Sequence, residues 1–175
     1  LGKRVVVRAL DDVADEEMAV EAARQVAAAV RRGEPILGVV GHYNSGATGP
    51  ALDQVYKDLD LVVITPGSTN ATLTQKGYSR FFRVCSTDDI QGPVAARKAL
   101  SLGWKRIAVF HTDNLYARGL AAAFVGGLRE RGVEPVVDIE MKYNDLGVFL
   151  RELPSKVDGA LKLAPDGVFF AGDYP

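Results

Sequence analysis

The sequence predicts an α/β fold, because three kinds of pattern recur along its 175 residues. Short apolar runs, often β-branched, alternate with longer segments that have helical periodicity. Most of these runs are continuous rather than alternating with polar residues, as expected of parallel strands covered on both faces by helices. Glycine, proline or acidic residues stand at the junctions, where turns and helix ends favour them.

In the first half of the chain, strands are expected at residues 5–7, 36–40, 61–64 and 81–84, with a helix at 48–58. An earlier helix is expected from Asp15 to Gly33, since acidic residues lead it and basic residues close it, as the helix macrodipole favours. Its apolar residues recur at every fourth position: Met18, Ala22, Val26 and Val30.

In the second half, strands are expected at residues 106–110, 135–139 and 167–170. Helices are expected at 88–102, 116–131 and 145–153. Asp88 or Asp89 is the predicted cap of the first of these helices, with Pro93 tolerated in its first turn. Pro154 is expected to stop the last helix, because proline interrupts the helical hydrogen bonds.

Composition excludes several classes of function. The net charge is -1, with 21 basic and 22 acidic residues and no basic cluster, so nothing favours nucleic-acid binding. No apolar run approaches the roughly 20 residues that cross a bilayer. A single cysteine, Cys85, excludes an internal disulfide. The chain starts without methionine, which leaves open an exported precursor whose leader is removed.

Three polar loops follow predicted strands, at residues 41–48, 65–70 and 111–116. In α/β sheets, ligands bind where such loops converge beyond the carboxyl ends of the strands. Glycine and small hydroxyl residues let backbone N–H groups approach an anion such as a carboxylate, although the same residues also simply make turns. Neither GxxxxGK[ST] nor GxGxxG occurs, so we expect a small neutral or zwitterionic ligand, without cofactor or metal.

Four segments, GHYNSGAT, ITPGSTNATLTQKGY, FRVCSTDDIQGPVAA and HTDNLYARGLAAAF, carry a family resemblance in their order and spacing. They resemble the periplasmic substrate-binding proteins of branched-chain amino-acid ABC transporters, which have the type I periplasmic-binding fold. The resemblance covers the chain from Lys3 to Pro175. It implies two Rossmann-like lobes, each incomplete here, that close over a free amino acid.

The resemblance also implies roles for single residues. Ser45 would bind the ligand carboxylate, Gly67 would contribute backbone groups, and Thr69 would use its backbone and hydroxyl around the ammonium and carboxylate. Tyr116 would close the site from the second lobe. The remaining candidate ligand contacts are Tyr43, Asn44 and Ser68. The acidic residue that usually meets the ammonium would lie outside this chain.

The first lobe is expected at residues 1–83 and the second at 84–175, with a hinge crossing near 84–88. The implied ligand is a branched-chain or other apolar amino acid, and the implied partners are the membrane permease subunits of an importer. The implied location is the periplasm, or a lipid-anchored extracytoplasmic position. Because the resemblance begins after the family's first strand and helix, the strand at 5–7 would lack its usual neighbour. The chain would then be part of a longer polypeptide, or self-associate through exposed sheet edges.

Two alternatives remain at this point. The same fold also serves as a ligand-sensing domain of receptors and regulators, and fold alone does not decide between these uses. An α/β enzyme is the remoter alternative, based on His42, His111 and Cys85, because a Cys–His pair can form an activated nucleophile. We expect a binding protein and no catalytic residues.

Overall fold

The computed structural model describes residues 2, 4–142 and 145–173. In the first half its elements are α1 (Glu16–Arg31), β1 (Val39–Val40), α2 (Ser45–Gln54), β2 (Val63–Thr65), α3 (Thr72–Gln75) and β3 (Phe81–Arg83). In the second half they are α4 (Asp88–Ser101), β4 (Ile107–Thr112), α5 (Leu115–Arg129), β5 (Val137–Met141), α6 (Leu146–Leu161) and β6 (Gly167–Ala171). A 3-10 turn, Tyr56–Asp58, follows α2, and the short α3 lies where the sequence predicts a loop.

The strands form two three-stranded sheets, and every strand pair is parallel. The strand orders are β1-β2-β3 and β5-β4-β6, which confirms the predicted α/β class. In the first sheet, Val63 of β2 lies between Val39 and Phe81. Because the strands of a sheet run in the same direction, their carboxyl ends lie at one edge. The predicted lobe boundary between residues 83 and 84, with its hinge at 84–88, stays a prediction.

Three clusters of buried apolar side chains hold the helices on the sheets. One joins α1 and α2 to the first sheet and includes Val63 and Leu73. A second joins α4 and α5 to β4 and includes Ile107 and Phe124. A third, which includes Phe110, packs α6 on the opposite face of β4, so the second sheet is covered on both faces. Among the described helices, none combines the length and apolar composition that crossing a bilayer requires.

Helix α1 begins and ends as the sequence predicts, but it buries a different stripe of residues. The Asp15 side chain accepts a hydrogen bond from the Met18 backbone N–H at 2.9 Å, which caps the helix. Met18 itself is 47% exposed. The closest packing is made by the alanines at positions 19, 23 and 27, which are almost fully buried. Small side chains let α1 approach its neighbours closely, so the predicted stripe beginning at Met18 is wrong at its first position.

Pro154 lies inside α6, so the prediction that it ends this helix is wrong. An internal proline costs about 3 kcal/mol, because it removes a hydrogen bond and crowds the preceding turn. The apolar face of α6 compensates for this cost: Phe149, Leu153 and Val157 pack with buried Ala160 against the second sheet. Tertiary burial therefore extends the helix beyond the proline.

The predicted strand at residues 5–7 is not formed, and β1 is shorter than predicted. Val5, Val6 and Val7 are exposed, and among the described residues β1 pairs with β2 alone. A strand needs a partner for its backbone N–H and C=O groups, and no backbone hydrogen bond joins this segment to another described segment. A groove of about 880 Å³ separates it from β1. Exposed Leu37 and Val40 contribute to the lining of this groove.

Helices α4 and α5 pack closely through glycine, and we expect Gly92→Ala to lower the free energy of unfolding by about 1–3 kcal/mol. A Cβ atom at Gly92 would lie 2.5 Å from the backbone of Phe124, which leaves no room for a methyl group. Gly126→Ala in α5 is the matched control, because its Cβ would meet nothing within 4 Å. It should stabilise the helix by about 0.5–1 kcal/mol. Chemical denaturation of both variants measures the difference, and equal stability of the two would contradict the proposed packing constraint.

Candidate ligand-binding cleft

The loops that follow β1 and β2 are joined by buried hydroxyl groups. Thr65 donates a hydrogen bond to the His42 carbonyl oxygen at 2.6 Å, and Ser68 donates to the Tyr43 carbonyl oxygen at 2.9 Å. The Thr48 and Ser68 hydroxyl oxygens are 2.6 Å apart. All three hydroxyl side chains are buried. Ser68 therefore holds the two loops together, and its role as a ligand contact stays a prediction.

Asn70 connects this part of the cleft to the second half of the chain. Its backbone N–H donates to Ser45 Oγ at 3.1 Å, and its Nδ2 donates to the carbonyl oxygen of Leu115 at 2.8 Å. Its Oδ1 accepts from the Thr72 backbone N–H at 2.9 Å. The sequence pattern does not mark Asn70 as a site residue. An asparagine side chain that accepts a hydrogen bond from the backbone N–H two residues later forms an Asx turn. The tendency of asparagine to form such turns is the sequence feature that could have pointed to Asn70.

Four candidate site residues lie together at the outer end of the two loops: Tyr43, Asn44, Ser45 and Gly67. Ser45 is buried and begins α2, while Asn44 precedes it without capping the helix through its side chain. The first turn of a helix leaves backbone N–H groups without helical partners, and these groups favour an anion. A Cβ at Gly67 would lie 2.6 Å from the Tyr43 ring, so the ring packs directly on this glycine.

Thr69 and Asp88 present buried polar atoms that have no hydrogen-bond partner among the described residues. These atoms are Thr69 Oγ1 and both carboxylate oxygens of Asp88. Asp88 is 2% exposed, and its backbone N–H donates to the Thr69 carbonyl oxygen at 3.0 Å. Burial raises the pKa of Asp88, and the neighbouring Thr69 hydroxyl and the Arg83 charge partly offset this shift. The Thr69 hydroxyl therefore lies near the Asp88 carboxylate, although the two groups do not reach normal hydrogen-bond geometry.

The sequence assigned Asp88 or Asp89 to a helix cap, and this prediction is wrong. Thr87 occupies the N-cap position of α4, and Asp88 is the first helical residue. Nothing in the sequence pattern distinguishes a buried, unpartnered carboxylate from an ordinary acidic residue in a first helical turn.

Tyr116 comes from α5 and lies close to residues of the first half. Burial raises its pKa first, and the charges of Asp88 and Asp173 and the Tyr43 phenol raise it further. A Cβ at Gly119, three residues further along α5, would lie 3.5 Å from Asp88 Oδ2, so this part of α5 is close to Asp88. The role of Tyr116 as a ligand contact stays a prediction.

The role of His42 is structural, because both of its ring nitrogens contact other side chains of the protein. Its Nδ1 lies 2.5 Å from Asp12 Oδ2, and its Nε2 lies 3.4 Å from the Tyr56 hydroxyl. Burial and the Asp12 charge raise the pKa of Tyr56 to about 12. The part-buried contact between His42 and Asp12 fixes the segment before α1 to the loop after β1.

His111 and Cys85 are engaged elsewhere. His111 Nδ1 lies 3.0 Å from the Thr112 carbonyl oxygen, and its Nε2 lies 3.5 Å from Asp138 Oδ1. Cys85 Sγ donates to the Ser68 carbonyl oxygen at 3.7 Å. Within the described part of the chain, neither histidine hydrogen-bonds to Cys85, so the pair that an activated nucleophile needs is not formed.

Comparison with known proteins agrees with a binding site. Residues 1–155 match the family described as "Receptor family ligand binding region". The chain is 32% identical to an amino acid binding protein of Pseudomonas aeruginosa, over 99% of this chain and 44% of that protein. It is 31% identical to a leucine-specific-binding protein of Salmonella typhimurium, with the same two coverages of 99% and 44%. The chain thus spans less than half the length of these relatives.

Solved structures show the same fold. The leucine binding protein LivK from Thermotoga maritima superposes with a TM-score of 0.82 at 26% identity, covering 97% of this chain and 45% of that one. An ABC transporter substrate-binding protein from Desulfitobacterium hafniense, in complex with Leu, gives a TM-score of 0.67 at 30% identity, covering 91% and 45%. These likenesses confirm the resemblance and the fold class that the sequence predicts. The relatives are named as binding proteins rather than as enzymes.

Replacing Asp88 with asparagine is expected to raise the free energy of unfolding near neutral pH. Burial raises the pKa of Asp88, so the folded state holds more protons than the unfolded state between the two pKa values. The stability associated with Asp88 is complete below the unfolded pKa and declines as pH rises through the folded pKa, by about 1.4 kcal/mol for each pH unit between them.

Urea denaturation between about pH 4 and pH 8 measures this effect in the wild type and in Asp88→Asn. Asp88→Asn should lose this decline, whereas Asp89→Asn, at the exposed neighbouring position, should keep it. The same decline in all three proteins would show that Asp88 is not the responsible group.

Proposed function

Because the chain belongs to the family of receptor ligand-binding regions, we propose that it forms part of a solute-binding protein that takes a free amino acid into its cleft. The relatives support this proposal through their names, which specify an amino acid or leucine. The chain spans 44% of their length, so the activity of the whole protein is part of the proposal.

One observation carries the proposal: Thr69 Oγ1 and the Asp88 carboxylate are buried near each other, and neither makes a hydrogen bond of normal geometry with any described residue. An unpaired buried hydroxyl costs about 1–3 kcal/mol, and an unpaired carboxylate costs more. A ligand ammonium would satisfy both groups at once, since it brings several N–H donors and a positive charge. Asp88 thereby supplies, within this chain, an acidic partner that the family resemblance placed outside it.

The ligand carboxylate is assigned to the start of α2. Ser45 offers its hydroxyl hydrogen, because its oxygen already accepts from Asn70. The backbone N–H groups of the first helical turn add donors without a formal charge. Gly67 lies against the Tyr43 ring, and Asn44 immediately precedes Ser45.

The two tyrosines form the walls of the proposed site. Tyr43 is 68% exposed, so a ligand can cover its ring, and Tyr116 approaches from α5. A ring contact provides apolar area together with a hydroxyl at its end. Leucine, isoleucine and valine are the first ligands to test, because related proteins are named for leucine and for Leu/Ile/Val.

The proposed setting is an ABC importer, in which permease subunits of the membrane are the partners and the protein lies in the periplasm or on a lipid anchor. The structure in the complex with Leu belongs to an ABC transporter substrate-binding protein, which supports this setting. The family description, a receptor ligand-binding region, also fits a ligand-sensing domain. Both uses require the same amino-acid site, and permease binding separates them.

Thr69→Val is expected to weaken amino-acid binding by about 10- to 150-fold, since losing a hydrogen bond to a charged group costs about 1.5–3 kcal/mol. Valine keeps the shape, and Thr69 Oγ1 makes no hydrogen bond of normal geometry with the described residues, so folding stability should change little. Calorimetric titration of the full-length protein and thermal unfolding measure the two quantities.

Thr74→Val is the control with the opposite pattern. The Thr74 hydroxyl accepts from Arg83 at 2.6 Å away from the unpartnered atoms, so its loss should lower stability and leave affinity unchanged. Unchanged affinity in Thr69→Val would remove Thr69 from the site. A screen of the twenty amino acids in which none binds the wild type would refute the proposed function.

We further propose that the 175-residue chain, expressed alone, associates with itself through the open edge of β1. Leu37 is 78% exposed beside this edge, and Leu37→Lys should shift the chain towards the monomer because a charge at an open strand edge opposes pairing. Leu161→Lys is the matched control, since Leu161 is 57% exposed at the end of α6. Sedimentation velocity at several concentrations is the measurement, and a wild-type monomer throughout would contradict the proposal.

A further inference from the structure

The first turn of α5 packs into the first half of the chain. Leu115, the first residue of α5, is partly buried against the apolar cluster that joins α1 and α2 to the first sheet. A Cβ atom at Gly49 in α2 would lie 2.9 Å from Leu115 Cδ2, so the leucine side chain fills the space that this glycine leaves. Leu115 therefore attaches a helix of the second half to a helix of the first half.

The Asn70 side chain adds a hydrogen bond to this contact. Its Nδ2 donates to the Leu115 carbonyl oxygen at 2.8 Å. A Cβ atom at Gly119, one turn later in α5, would overlap Asn70 Nδ2, so this glycine leaves the space through which the amide reaches the helix. Asn70 Oδ1 accepts two hydrogen bonds within the first half, from the backbone N–H and the hydroxyl of Thr72. The amide is thus engaged by the protein from both of its ends.

Both partners of this contact adjoin residues that the proposed function places around the ligand. Asn70 directly follows Thr69, and its backbone N–H donates to Ser45 Oγ at 3.1 Å. Leu115 directly precedes Tyr116. A movement of α5 away from α2 would therefore take Tyr116 away from Thr69 and open the site on that side.

We propose that Asn70 and Leu115 are positioning residues that slow the release of the bound amino acid, an inference that rests on the proposed function. We call their contact the latch: the Leu115 side chain against Gly49, together with the hydrogen bond from Asn70 to the Leu115 carbonyl oxygen. A ligand enclosed between the two halves leaves when they separate, and separation breaks the latch. Binding begins before the latch forms, so the latch acts on the dissociation rate rather than on the association rate.

The test is a stopped-flow measurement of leucine association and dissociation in the full-length wild type, Leu115→Ala and Gly119→Ala. Leu115→Ala removes the side chain that contacts Gly49, whereas Gly119→Ala displaces the Asn70 amide without removing a polar group. We expect Gly119→Ala to raise the dissociation rate about 2- to 12-fold, the range for losing one net hydrogen bond. Leu115→Ala should raise it at least as much, because it also removes buried apolar contact. The association rate should change less than about twofold in both variants.

Leu146→Ala and Gly126→Ala are the matched controls. Leu146 is the first residue of α6, as Leu115 is of α5, but its side chain is 49% exposed. Gly126 lies in α5 with Gly119, and a Cβ atom there would meet nothing within 4 Å. Both controls should keep the wild-type rates. Leu115→Met conserves the volume of the side chain and should also keep the wild-type dissociation rate.

Thermal unfolding of the ligand-free variants separates the latch from a merely structural contact. A merely structural contact would lower the unfolding temperature and leave the dissociation rate of the folded protein unchanged. An unchanged dissociation rate in Leu115→Ala and Gly119→Ala, with tight binding by the wild type, overturns this inference alone, and one variant decides if the other does not fold. A wild type that binds none of the twenty amino acids refutes the proposed function together with this inference.

Discussion

The arrangement of the cleft depends on one buried amide, that of Asn70. Its backbone and side chain reach Ser45 at the start of α2, Thr72 in α3 and Leu115 at the start of α5. A buried amide must pair its donors and acceptors, so displacing Asn70 would leave several polar groups unpaired at once. Because displacing Asn70 would unpair all of these groups, Asn70 fixes the starts of α2, α3 and α5 relative to one another. Helices α2 and α3 belong to the first half of the chain, and α5 belongs to the second.

Unlike Asn70, Thr69 Oγ1 and the Asp88 carboxylate make no hydrogen bond of normal geometry with the residues that the structure describes. The hydroxyl cluster of Thr48, Thr65 and Ser68 satisfies its own hydrogen bonds and gives the loops their shape. The groups that remain unsatisfied lie at the junction of those loops with α5. Most buried polar atoms of a folded protein are paired. A few unpaired atoms at one place therefore mark where a bound ligand gains the most free energy.

The sequence alone specifies the class and the order of the elements, because apolar runs and helical periodicity are local properties. It does not specify which face of α1 is buried, since the alanines that pack most closely carry little hydrophobic signal. It also does not reveal that α6 continues through Pro154, which depends on burial against a distant sheet. The cleft loops are recognisable from their composition, whereas Asn70 and Asp88 resemble ordinary turn and helix-start residues until their burial is known.

The central position of β4 gives the two sheets different local stabilities. β4 pairs on both edges and has buried residues on both faces, so its amide hydrogens can exchange with solvent only when the second sheet opens as a whole. Among the described strands, β1 pairs only with β2, and Val40 is 83% exposed, so a small local opening releases the amides of β1. The second sheet is therefore the more rigid of the two, whereas the local stability of the first sheet depends on what pairs with the edge of β1.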